Sequence, residues 1–188
     1  MEDLSKIDKT DDIVKKAHDL GASDTRLIDA QDIVLDERVT LKCRVPLCPD
    51  YGQNLMCPPS VPSMDDFGRI LARYRKAILV QVRTPAPDLG HGHPDWFAGA
   101  RALHQIVNRL ESHCFSLGFR FAAGFIGGSC KLCGDCPGPG NPCRLAFQAR
   151  PSMEAMGIDV VATAERAGLQ LGFPVRDEVV WTGLVLLD

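Results

Sequence analysis

Seven of the eight cysteines in this 188-residue chain fall in two short segments rich in proline and glycine. The first segment, "CRVPLCPDYGQNLMC", has the spacing C-x4-C-x8-C, and the second, "CKLCGDCPGPGNPC", has the spacing C-x2-C-x2-C-x6-C. Proline fixes one backbone dihedral and lacks an N–H group, so both segments are predicted to be loops that gather thiols. The cysteines are Cys43, Cys48 and Cys57 in the first loop and Cys130, Cys133, Cys136 and Cys143 in the second.

The composition excludes several classes of function. A net charge of -3 with 45% hydrophobic residues is that of an ordinary globular domain, without the basic surface that nucleic acid or an anionic membrane would attract. The start, "MEDLSKIDKTDD", lacks the features of a signal or transit peptide, so we expect a cytoplasmic protein. The C-terminal run "VVWTGLVLLD" is shorter than the roughly 20 residues of a spanning helix, and it predicts a buried strand.

This number of cysteines indicates a metal site. Thiols in the cytoplasm are kept reduced, so structural disulfides are not expected there. A chain of this length also has enough apolar residues to form a core without covalent links. We therefore predict one domain over residues 1–188 that binds metal through cysteine.

The second loop has the spacing that favours a 4Fe-4S cluster. Two intervening residues let a tight turn direct neighbouring thiolates at one inorganic centre, and repeating the spacing places three sulfurs around one side of it. One zinc ion prefers two separated C-x2-C pairs, whereas a tandem run is typical of the loop that wraps a cluster. Neighbouring glycines let backbone N–H groups approach the sulfurs.

The first loop supplies only three thiols, which leaves its role open. A ligand from elsewhere would complete a second 4Fe-4S cluster, and such a cluster passes electrons. Without that ligand, one iron keeps a position that can bind a substrate. A zinc site is the third possibility. If the site is catalytic, Tyr51, Asp50 and His91 are conceivable acid-base groups.

The remaining cysteine is predicted to lie in the core. Cys114 is in helical register with Leu103, Val107, Leu110 and Leu117, and a free cysteine often serves as a small buried apolar residue. His91 and His93 stand one residue apart in a loop, which is weak evidence for ligands.

Strand and helix signals alternate along the chain. Ser63 with Asp66 forms a capping box before "MDDFGRILARY", Asp159 can cap "VVATAERAG", and "KAILVQVR" has the β-branched, apolar character of a buried strand. A long helix is expected from about Asp95 to Leu117. The alternation predicts an α/β fold with a central mixed sheet flanked by helices. An α+β arrangement is the alternative, because the order of the strands in the sheet cannot be read from the sequence.

Several motifs in the same order resemble a family of small proteins of unknown function described as predicted metal-binding. They are "CRVPLCPDYGQNLMCPPSVPSMDDF", "GGSCKLCGDC", "ARPSMEAMGIDVV" and "WTGLVLLD", and the likeness runs from about Val39 to Asp188. The resemblance implies a cysteine-bound centre, iron-sulfur in type, in anaerobic bacteria and archaea. The seven loop cysteines match the family's pattern. The chain departs from it after Cys143, where "RLAF" replaces an expected proline.

Three functions are compatible with these features. The leading hypothesis is an iron-sulfur protein that carries electrons or serves a redox partner protein. The second is an enzyme that binds a small substrate at an open iron in the three-cysteine loop. The third is an interaction module with structural zinc.

Overall fold

The structure is a computed structural model that describes residues 4–86, 95–172 and 175–188, with the backbone alone described for residues 4–8. Within these ranges the chain forms five α-helices and four β-strands. The helices are α1 (Leu4–Asp19), α2 (Glu37–Arg44), α3 (Met64–Leu71), α4 (Ala98–Ser116) and α5 (Val160–Arg166). The strands are β1 (Asp24–Asp29), β2 (Lys76–Pro85), β3 (Ala123–Ile126) and β4 (Glu178–Leu187). Short 3-10 turns span Ala30–Asp32 and Glu154–Met156.

The four strands form one sheet in the order β1-β2-β4-β3. Every pair of neighbouring strands is antiparallel, with Val80 opposite Thr25 on one side and opposite Gly183 on the other. The α/β prediction is confirmed, but the sheet is antiparallel rather than mixed. Alternation of helices and strands in the sequence does not fix strand direction. The chain can begin the next strand at either end of the sheet, and the choice of end makes neighbouring strands parallel or antiparallel.

Helices cover both faces of the sheet, so the apolar residues form two core layers. Ile78 and Val80 of β2 pack with α1 and α4 on one face, and Leu79 packs with α3 and α5 on the other. Residues that follow one another in a strand point to opposite faces, which explains why "AILV" is buried along its whole length. Among the helices of the described ranges, none is both long and apolar enough to cross a membrane.

The capping signals lie where the sequence places them. The Ser63 hydroxyl accepts the N–H of Asp66 at 3.2 Å at the start of α3, and the Asp159 carboxylate accepts the N–H of Ala162 at 3.0 Å at the start of α5. These bonds satisfy N–H groups that a helix start leaves without a partner. Both predicted helix starts are therefore confirmed.

Candidate metal centre

The first cysteine loop begins on a helix that the sequence analysis did not predict. Helix α2 is capped by Asp36, whose carboxylate accepts the Arg38 N–H at 2.8 Å, and Cys43 lies in its last turn. The chain then leaves the helix through a turn in which the Cys48 N–H donates to the Cys43 carbonyl at 3.1 Å. Cys43 is thus held by regular structure, while Cys48 and Cys57 lie in the irregular segment that prolines enforce.

The second cysteine loop begins where β3 ends. The Gly127 N–H donates to the Thr182 carbonyl of β4 at 2.7 Å, and a Cβ atom on Gly127 would stand only 2.6 Å from that carbonyl oxygen. Only glycine allows so close an approach of the two backbones. The loop therefore leaves the sheet edge at a fixed point and direction.

Helix α4 fastens the far end of the second loop. His104 is almost fully buried, and its Nε2 accepts the N–H of Arg150 at 2.8 Å, while the carbonyl of Gln148 accepts the other ring N–H. The Arg150 guanidinium donates from Nε and Nη2 to the Glu111 carboxylate at 2.8 and 2.6 Å. Both ends of the four-cysteine loop are thus attached to the sheet and to α4.

The two cysteine loops are in direct contact. The side-chain amide of Asn54 donates to the Cys130 carbonyl at 3.1 Å, and the backbone N–H of Leu55 points at Cys136 Sγ at 3.5 Å. Just beyond the second loop, the Ser152 N–H donates to the Met56 carbonyl at 3.1 Å. Residues between Cys48 and Cys57 therefore form part of the wall around the second set of cysteines.

Asp50 connects the loops through its carboxylate. It accepts hydrogen bonds from the Ser129 hydroxyl at 2.8 Å and from Lys131 Nζ at 3.3 Å, residues that flank Cys130. Burial would raise the pKa of Asp50, but hydrogen bonds from Ser129, Asn54 and Lys131 and the charge of Lys131 lower it below its usual value. Asp50 is thus an ionised link between the loops rather than a free acid-base group.

The four cysteines of the second loop share one cavity. All four line a space of about 290 Å³, together with residues from the first loop. Burial raises the pKa of Cys130, and the charges of the other three thiols raise it further, while a backbone hydrogen bond from Leu132 opposes this. The structure therefore brings together the set that the spacing indicates. The other members of this set are Cys133, Cys136 and Cys143.

The three cysteines of the first loop form a separate set. Burial raises the pKa of Cys57 to about 12, with further contributions from the charges of Asp50, Cys48, Cys43 and Glu154. Burial is also the main cause of the raised pKa of Cys43, followed by the charges of Cys48 and Glu154. Two of these thiols, Cys43 and Cys48, line a second cavity of about 500 Å³. Cys43 and Cys48 thus line a different cavity from that of the four-cysteine set.

Glu154 is a neighbour of the three-cysteine set that sequence analysis missed. It opens the Glu154–Met156 turn, and its two carboxylate oxygens accept the Gly128 N–H at 3.1 and 3.0 Å. The Ser152 hydroxyl donates to the same carboxylate at 2.8 Å. No spacing in the sequence signals this position, because Glu154 lies about a hundred residues from Cys43 and Cys57 and approaches them only through the fold.

The structure describes two of the remaining candidate residues, and the other two lie outside the described ranges. Cys114 is fully buried in the core layer with Leu103, Val107 and Leu110, as predicted. Tyr51 lies partly buried in the turn after Cys48, and its N–H donates to the Cys48 carbonyl at 3.0 Å. His91 and His93 lie outside the residues that the structure describes.

The described residues contain no preformed site for a single metal ion. Over residues 4–86, 95–172 and 175–188, no group of three or more His, Cys, Asp or Glu side chains is placed to hold one metal ion. A four-iron cluster differs in geometry from a single ion because it offers each thiolate its own iron.

Comparison with known proteins gives one match. Neither the curated proteins nor the solved structures contain a match to this chain. Residues 26–187, which include both cysteine loops, most of β1, all of β2 to β4 and helix α4, match the family model described as "Predicted metal-binding protein (DUF2284)". The chain therefore belongs to DUF2284, a family of predicted metal-binding proteins.

Proposed function

We propose that the chain is an iron-sulfur protein that transfers electrons, with residues 1–188 forming one metal-binding domain. The second loop holds a 4Fe-4S cluster on its four cysteines, and the first loop holds a second centre, a 4Fe-4S cluster or zinc, on Cys43, Cys48 and Cys57. The observation that carries this proposal is the shared cavity of Cys130, Cys133, Cys136 and Cys143 beside the first loop.

The donor chemistry of the second loop fits a cluster. Four thiols at this spacing supply one ligand for each iron of a cubane. Backbone N–H groups of Leu55 and Leu132 reach the sulfurs of Cys136 and Cys130, and such hydrogen bonds help set the reduction potential of a cluster. The glycine-rich backbone allows that approach. When bound, the cluster would supply reversible one-electron chemistry at this loop.

Contact between the loops supports electron transfer from one centre to the other. Asn54 and Leu55 belong to the three-cysteine loop, yet they touch Cys130 and Cys136 of the other set. Two centres on these sets would therefore be separated by only a few residues of packed chain. The partner in this proposal is a redox protein that docks where the cysteines approach the surface, since Cys136 is exposed.

The second candidate function is catalysis at the three-cysteine set. It is favoured by one observation: Cys43 and Cys48 line a cavity that the four-cysteine set does not enter. An iron on three protein thiolates keeps one position for an outside ligand, and the cavity gives that ligand room. Asp50 is bound into the link between the loops, so it is a poor choice for an acid-base group in such a reaction.

The test is metal analysis of protein purified without oxygen. Iron, zinc and acid-labile sulfide are measured per chain, with electron paramagnetic resonance before and after dithionite. About eight irons with coupled signals after reduction would support two clusters and electron transfer, and about four irons would support one cluster on the second loop. Zinc without iron would overturn the proposal and favour a structural module.

A further inference from the structure

The cavity beside the three-cysteine set has the character of a site for a small molecule. Its volume of about 500 Å³ lies within the usual range of ligand pockets, roughly 300 to 1,000 Å³. It opens between α2, the Glu154–Met156 turn, α5 and the first residues of β4. Most of its wall is apolar and comes from Val39, Ile158, Val160, Leu171, Val179 and Val180.

We propose that this cleft binds a small neutral or cationic organic molecule with an apolar body, whose hydrogen-bond donor is accepted by Glu154 beside Cys43 and Cys48. The inference rests on the proposed function in one respect, namely that the bound molecule would lie next to the second metal centre. It adds the class of ligand, and it assigns Glu154 a binding role.

The charges around the cleft select against anions. Among the described residues of its wall, Glu154 and Asp159 are acidic and Lys42 is basic. Thiolates on Cys43 and Cys48 would add further negative charge. A carboxylate or phosphate that entered the cleft would lose its hydration and would be repelled by these negative charges, and both effects raise the free energy of binding. A neutral or cationic group avoids that cost.

Glu154 is held in place and retains capacity for a ligand. The Gly128 N–H and the Ser152 hydroxyl donate hydrogen bonds to the carboxylate and so fix its orientation. Each carboxylate oxygen has two lone-pair directions, so these three contacts leave one direction for a further donor. The same arrangement orients the acceptor before binding, which lowers the entropy cost of recognition.

The cleft can be narrowed by substitution without disturbing the backbone. Gly172 lines it, and a Cβ atom at this position would meet no atom of the described residues within 4 Å. Its φ is not in the left-handed region, so a larger side chain imposes no strain. Gly172→Leu therefore adds an apolar side chain at the wall that the cleft shares with a neighbouring cavity, which Arg83 and Glu178 also line. Lys15→Leu, on the exposed side of α1 across the sheet, is the matched control.

The experiment is calorimetric titration of the anaerobically purified full chain with benzylamine, benzyl alcohol and benzoate. We expect benzylamine and benzyl alcohol to bind in the millimolar range and benzoate at least about tenfold more weakly. Gly172→Leu should weaken binding and Lys15→Leu should leave it unchanged. Glu154→Gln should weaken benzylamine about tenfold and retain benzyl alcohol, because an amide oxygen still accepts a neutral donor.

The inference is overturned if none of the three probes binds, if benzoate binds as well as benzylamine, or if Glu154→Gln binds benzylamine like wild type. Iron and zinc analysis of Glu154→Gln shows whether Glu154 binds the organic molecule or the metal. Metal content equal to wild type supports the ligand role, and loss of metal would make Glu154 a ligand of the centre and overturn it. Zinc without iron in wild type would overturn the proposed function alone, since heat of binding is measured whatever the metal.

Discussion

The Arg150 backbone N–H donates a hydrogen bond of 2.8 Å to Nε2 of His104 in the middle of α4. The bond requires an unprotonated Nε2, and the ring's other N–H is held by the Gln148 carbonyl. Burial, followed by the charge of Arg150, lowers the pKa of His104 from 6.5 to about 4. The neutral ring thereby fastens the end of the four-cysteine loop to the helix.

This contact predicts a loss of stability in mild acid. Above pH 6.5 His104 is neutral in both folded and unfolded chains, and its contribution to stability is fully present. As the pH falls from 6.5 towards 4, the unfolded chain binds a proton that the folded chain excludes, so stability decreases. Between pH 7.5 and 5.0 the loss should be about 2 kcal/mol in urea unfolding. His104→Gln should show a pH dependence smaller by that amount, and equal curves for the two proteins would contradict the assignment.

Local signals in the sequence predict the local structure well. Ser63 and Asp159 cap their helices, and Cys114 joins the core with the residues in its helical register. These features depend on residues within about three helical turns of one another, so pattern and propensity decide them. Helix α2 is the exception. The prolines of the adjacent loop favour irregular structure for the whole region, although the first of them comes only after the helix ends.

Contacts between distant residues could not be predicted. Asp50 reaches Ser129 over 79 positions, and His104 reaches Arg150 over 46. Antiparallel pairing of all strands and the position of Glu154 beside the three-cysteine set depend on the same long-range packing. The sequence therefore indicates which cysteines are candidate ligands, and only the fold shows which residues surround them.

Removing the carboxylate of Asp50 should loosen the two loops. In Asp50→Ala the Lys131 ammonium and the Ser129 hydroxyl lose a partly buried partner, which we expect to cost about 1 to 3 kcal/mol. If the centres are held as proposed, a chelator should also remove metal several times faster. Urea unfolding and the rate of metal loss measure the two effects. Asp11→Ala, at an exposed position on α1, is the control, and equal rates of metal loss in the two variants would argue against a link through Asp50.

Two cysteine variants should separate ligand from core residue. Cys133→Ala removes one thiol from the proposed cluster, and iron should fall by about four per chain after anaerobic purification. Cys114→Ala should retain all the iron and lose about 1 to 2 kcal/mol of stability, because a fully buried sulfur is replaced by a small void. Iron analysis and urea unfolding of both variants check this. Iron loss in Cys114→Ala without unfolding would mean that the eighth cysteine takes part in a centre.

The close approach of Gly127 to β4 predicts a large effect from a single added methyl group. In Gly127→Ala the new Cβ would lie 2.6 Å from the Thr182 carbonyl oxygen, which is backbone and cannot rotate away. Either the sheet edge or the start of the second loop must then shift, at a cost of about 1 to 3 kcal/mol. Gly172→Ala is the matched control, since its Cβ meets no atom of the described residues within 4 Å, and it should be neutral or slightly stabilising. Urea unfolding measures both changes. Because the shift begins three residues before Cys130, Gly127→Ala should also lower the iron retained by the second loop, and unchanged stability and iron would show that the junction is not rigid.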